Sequence, residues 1–110
     1  MRVQVRIRGV DGPAELVEHA ERRVHHHLSR CGRQVTGVTV SLSDVNGPRG
    51  GNDKRCQVTV TGQLIGTLHL AETHEDARSG VDVALARLSH SVGRSVQHAR
   101  ETHTARTSRR

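Results

Sequence analysis

The sequence predicts an α+β fold in the order β-α-β-β-β-α, a four-stranded mixed sheet with two helices packed on one face. Three observations lead there. Four segments alternate apolar and polar side chains with period two, and two longer ones repeat apolar residues at spacings of three and four. Each strand therefore has one apolar face and each helix one apolar stripe, and a single layer of helices over a single sheet buries them all. The chain has 110 residues, the length of one domain.

Arg2–Arg8 sets Val3, Val5 and Ile7 on one side and Gln4, Arg6 and Arg8 on the other, the pattern of a half-buried strand. A turn over residues 9–12 leads to Pro13, which suits the first position of a helix. Leu16, Val17, Ala20, Val24, Leu28 and Cys31 then recur at helical spacing until Gly32, a helix-ending residue. Residues 35–43 form the second strand, with Val38, Val40 and Leu42 inward. A Gly-rich connection over residues 44–54 precedes the third, residues 55–61, with Cys56, Val58 and Val60 inward. Gly62 and Gln63 read as a tight turn, and residues 64–71 as the fourth strand, with Leu64, Gly66, Leu68 and Leu70 on one face. The first two strands, joined by a helix, should be parallel, and the hairpin-linked ones antiparallel.

Residues 73–100 read as one long helix with two faces. Ala77, Val81, Ala84, Leu85, Leu88, Val92, Val96 and Ala99 make an apolar stripe, while Arg87, His90, Arg94 and His98 make a basic one. Thr73 is the expected cap, with Asp76 at the third helical position. Gly80 should weaken this helix locally. The domain is thus expected over residues 1–100, with 101–110 a basic, disordered tail.

Seventeen Lys and Arg against eleven Asp and Glu leave a formal charge of +6. Every cation but Lys54 is arginine, whose planar fork matches phosphate oxygens, so a polyanion is the expected partner. There is no Phe, Tyr or Trp. Proteins that hold single strands stack bases on aromatic rings, so any nucleic-acid contact here must be made by charge and shape. No apolar run has the length of a membrane span, and Met1 leads directly into a strand pattern, so neither a membrane partner nor a secretory leader is expected. Cys31 and Cys56 do not make a disulfide framework and are expected to be reduced, as small hydrophobes in the cytoplasm.

His25, His26 and His27 fan out by about 100° each on a helix and cannot share one metal ion. The Gly-rich stretch at residues 46–54 lacks GxxxxGK[ST] and joins two strands, so it is no P-loop. It reads as a hairpin loop or, alternatively, as an RNA-touching finger using Arg49, Lys54 and Arg55. Asp76 and Asp82 share a helix but not a tight face, Ser79 has no base in reach, and Asp82 is expected to pair with Arg78. No enzyme, metal, cofactor or small-molecule substrate is expected from these sets.

The element order, the segment GGNDKRCQVTV and the segment EDARSGVDVALARLSHSVGR resemble the bacterial hibernation promoting factor and ribosome-associated inhibitor family, also called the sigma-54 modulation protein family. The resemblance covers residues 2–100. Its signature falls on Asp76, Val81 and Asp82, and its basic positions on Arg87, His90, Arg94 and His98. It implies a fold like that of double-stranded RNA-binding domains, and binding to 16S rRNA of the 30S subunit in the channel used by mRNA and tRNA. Translation on idle ribosomes would be blocked there, in the cytoplasm, by a protein monomeric off the ribosome. Arg22, Arg23, His26 and Arg30 on the first helix, Lys54 and Arg55 at the third strand, and Arg87, His90, Arg94 and His98 on the last are the candidate RNA contacts. Protonated histidines would add to that charge, so lower pH should strengthen binding. Three departures stand out. Arg78-Ser79-Gly80 replaces the aromatic of the helix signature, histidine occupies two basic positions, and the C-terminal dimerising domain of long members is missing, the pattern of a short form. The alternatives are a general RNA-binding or RNA-chaperone-like protein not tied to ribosomes, and a small metal-binding or enzymatic domain.

Overall fold

The expected element order holds: β1 (Arg2–Arg8), helix α1 (Pro13–Leu28), a 3-10 segment (Ser29–Gln34), β2 (Gly37–Asp44), β3 (Lys54–Gly62), β4 (Gly66–His74) and helix α2 (Ala77–Ser108). The structure, a computed structural model, describes residues 1–10, 12–44 and 53–108, and the side chains among them except those of residues 30, 32, 33 and 102–108. The strands lie in the order β1-β2-β3-β4, parallel between β1 and β2 and antiparallel elsewhere.

Register carries the core. Val3, Val38 and Val60 lie side by side across three strands, as do Val5, Val40 and Val58, and Ile7, Leu42 and Cys56. Leu68 and Leu70 continue two of these rows onto β4. Leu16, Ala20, Val24 and Leu28 of α1, and Val81, Ala84, Leu85, Leu88 and Val92 of α2, close over this one face. α1 lies against β1, α2 covers β3 and β4, and the helices touch each other. With no aromatic ring to fill space, the core is a close array of Val, Leu, Ala and one Cys.

Several boundaries differ from the sequence reading. α1 tightens into the 3-10 segment at Ser29 instead of running helically to Gly32, a common helix ending. β4 begins at Gly66 and runs to His74, because its ladder with β3 continues through Thr73 and His74, opposite Arg55 and Lys54. Thr73 is therefore a strand residue, and α2 starts at Ala77. Asp76 is its cap: the carboxylate accepts the Ser79 backbone N–H at 3.1 Å and the Ser79 hydroxyl at 2.8 Å. These bonds hold the Asp76 carboxyl below its ordinary range. The helix continues to Ser108, past the Arg100 end read from the sequence. The hairpin between β3 and β4 turns on Gln63, Leu64 and Ile65, so Leu64 leaves the core face and stands 49% exposed.

Two glycines are fixed by close approach. A Cβ on Gly62 would lie 1.9 Å from the Gln34 carbonyl oxygen, where the 3-10 segment crosses the end of β3. Gly80, a weak point by helix propensity, is buried in the first turn of α2, and a Cβ there would meet the His74 Cβ at 3.3 Å. Its missing side chain lets α2 start flush against the end of β4. Gly62→Ala should cost about 3 kcal/mol or more, since backbone is what it strikes. Urea denaturation at matched m-values measures this, and a loss below about 1 kcal/mol would mean that the two segments are not held so closely.

Candidate nucleic-acid interface

The basic residues fall into three groups. The first is the stripe on α2. Arg87, His90, Arg94 and His98 are exposed on the flank that runs along β4. Arg87 and His90 border a groove floored by Leu70, and Arg94 and His98 a notch shared with Leu64, Ile65 and Leu68 of the hairpin. Arg87 is tethered there by an ion pair with Glu72 of β4. Arg94 has no ion-pair partner among the described residues, which makes it the stripe's free guanidinium.

The second group lies on α1. Arg22 and His26, one turn apart, are exposed. Arg23 is not free: it faces the seam between the helices, with Nε 2.9 Å from Asp82 Oδ1 of α2. His19 Nε2 lies 3.0 Å from the same oxygen. Asp82 thus joins α1 and does not pair with Arg78 of its own helix, because residue 82 points across the seam while residue 78 is exposed. Arg23 Nη2 donates to His27 Nε2 at 3.2 Å, and the Ser89 hydroxyl donates to the His27 carbonyl at 2.8 Å. The Arg30 side chain lies outside the described residues.

The third group is at β3, where Lys54 and Arg55 point to opposite faces. Lys54 turns to the helix side and sits 3.5 Å from Asp44, whereas Arg55 stands exposed on the open side of the sheet. The structure therefore does not bring Arg55 together with the helical bases. Arg49 and the rest of the proposed finger at residues 46–52 lie outside the described residues.

Burial sets the chemistry of the seam and the thiols. Desolvation pushes the His27 imidazole below its ordinary pKa, the Arg23 and His26 charges push the same way, and Asp82 partly opposes them. His27 is thus held neutral at the seam and does not join the surface cations. Cys56, fully buried, has its thiol pushed up to about 12 by burial and by Glu72, and burial also raises the half-buried Cys31. Among the described residues no three His, Cys, Asp or Glu gather as a metal-ligand set, and no helix is long and apolar enough to cross a membrane.

Fold and surface together define a small α+β domain with its cations laid out on faces and not in a cleft. The chain belongs to the family described as Sigma 54 modulation protein / S30EA ribosomal protein, whose model matches residues 3–100. Among solved structures it is similar to a ribosomal subunit interface protein from Coxiella burnetii, with TM-score 0.70 and 18% identity, covering 86% of this chain and 96% of that one. The N-terminal domain of Protein Y from Thermus thermophilus is similar too, with TM-score 0.69 and 19% identity, covering 86% and 98%. At these identities the likeness is one of fold. No curated protein matches the sequence.

Two outcomes follow from the buried groups. The unfolded chain protonates His27 near its ordinary 6.5 while the folded chain resists. Above that pH the group has no effect on stability, and below it each step down favours unfolding. The urea midpoint of His27→Gln should therefore fall less than that of wild type between about pH 7.5 and 5.5, and parallel curves would refute a neutral seam. In a thiol-labelling time course, Cys31 should react in the native protein and Cys56 only on unfolding. Equal native rates would contradict the buried placement of Cys56.

Proposed function

We propose that the protein is a ribosome-associated translation inhibitor of the hibernation type, which holds 16S rRNA of the small subunit in the mRNA–tRNA channel. The observation that carries this reading is the exposed row Arg87, His90, Arg94 and His98 on α2, in a chain whose family membership covers residues 3–100. The row gives two guanidiniums and two imidazoles along one flank, spaced by whole helical turns, so that a phosphate backbone meets several of them at once. Arg22 and His26 add cations from α1. The names of the similar structures, a ribosomal subunit interface protein and Protein Y, fit the same reading. Without aromatic rings, recognition rests on phosphate and on the shape of folded RNA. The protein acts in the cytoplasm by occupying the channel, with no chemical step and no cofactor.

Arg94 is the residue on which to test this, because Arg87→Glu would also set two carboxylates together at Glu72. Arg94→Glu should keep the wild-type melting temperature, as an exposed change within about 0.5 kcal/mol. It should sharply weaken co-sedimentation with purified 30S subunits. Arg94→Ala should lower the log–log salt slope of that binding by very roughly one unit. A folded Arg94→Glu protein that co-sediments like wild type would reduce the row to a solvated helix face. Binding to free RNA but not to 30S subunits would favour the general RNA-binding alternative.

A further inference from the structure

We propose that the open face of the sheet, on the side away from both helices, is a second RNA surface that grips a sugar–phosphate backbone. The register fixes its composition. Arg2, Arg6 and Arg8 of β1, Arg55 of β3 and His69 of β4 all point to this side and all are exposed. Among the described residues no Asp or Glu occupies an open-face strand position: Asp44 and Glu72, the strand carboxylates, both alternate to the helix side. The rest of the face is Ser, Thr, Gln, Gly and Ala, groups that either donate to phosphate or leave room for it.

The arginines are also grouped. Arg8, Ser43, Arg55 and Thr73 form one cross-strand row, so two guanidiniums flank a hydroxyl at about 10 Å from strand to second strand. Arg6, beside Ser41, stands one row over, about 7 Å along β1. A shallow depression of about 190 Å³ opens on the same face, with Arg2, Gln4 and Thr59 on its lining. Guarding an edge strand against pairing explains charge on β1, but either sign serves that purpose. It explains neither Arg55 on an inner strand nor the lack of carboxylates at the open-face strand positions. A face of arginines and hydroxyls without acids or aromatics complements a phosphodiester chain read through its backbone.

This inference goes beyond the ribosomal reading, since it requires RNA but not the ribosome. The probe is a short fluorescent oligouridine, followed by anisotropy across a salt series for wild type and for Arg6→Gln/Arg8→Gln/Arg55→Gln. The triple variant removes three phosphate-binding guanidiniums, each worth about 0.7 units of log–log slope on single strands. The slope should therefore fall by about two units and affinity at 0.1 M salt by roughly a hundredfold. The melting temperature should be unchanged, and the single Gln variants, each with a smaller loss, serve if the triple variant does not fold. Wild-type affinity and slope in the folded variants, or no oligouridine binding by wild type at low salt, would overturn the proposal. So would polyglutamate displacing the probe as well as unlabelled oligouridine does, because the face would then suit an acidic protein. The same proteins run with 30S subunits separate the two readings. Wild type that binds oligouridine but leaves 30S subunits alone refutes the ribosomal reading only. Unchanged oligouridine binding by the sheet variants beside normal 30S binding refutes this one only.

Discussion

The parity of the strands is the constraint on which the rest of the structure depends. Side chains alternate with period two, and the ladders align the strands so that every strand Val, Leu and Ile falls on the same side. A slip of one residue anywhere would bring arginine or threonine under the helices and aliphatic side chains into water. Because the core has no aromatic ring, no single side chain compensates for such a slip. The helices inherit this constraint. Each lays one stripe on the only apolar face available, and their outward faces are left to carry charge.

The residues that mark the family resemblance each have a part in this construction. Asp76 caps α2 through Ser79, Val81 is fully buried beneath it, and Asp82 reaches across to His19 and Arg23 of α1. One helical turn thereby fixes where α2 begins, how deeply it sits and how α1 lies beside it. Each ion pair at the seam is partly exposed and worth little alone. The seam gains more from joining two helices whose relative placement the aliphatic core leaves less specified. Gly80, in the same turn, is the cost of that close seating: poor helix propensity exchanged for a flush fit against His74.

The architecture was legible in the sequence because it rests on periodicity, which is local. Val3, Val5 and Ile7, or Val38, Val40 and Leu42, declare their faces without help from the rest of the chain. Properties that depend on tertiary neighbours were not legible. Thr73 and Asp76 are both sound caps, and only the ladder opposite Lys54 and Arg55 decides that Thr73 stays in the strand. Leu64 is as apolar as Leu68, but a three-residue turn takes it out of the core. At the candidate interface the sequence supplied the stripe on α2, a one-helix pattern. It did not show that Arg23 is bound at the seam, that Arg87 leans on Glu72, or that Lys54 and Arg55 part to opposite faces. The acid-free sheet face was readable in principle, from the absence of Asp and Glu at every second strand position, once four strands are known to share one sheet.

That face changes how the charge of the molecule is understood. A net charge of +6 on one domain suggests a single basic patch, but the fold divides it. The helical row lies on the flank of α2 along β4, where Arg87 pairs with Glu72, while the sheet arginines lie on the open side of the sheet away from both helices. A single phosphate strand cannot serve both surfaces without wrapping around a sheet edge. Two separate strands can, one on the flank of α2 along β4 and one on the open face of the sheet. If both surfaces hold phosphate, substitutions on the helix and on the sheet should lower affinity additively, and salt should weaken both together.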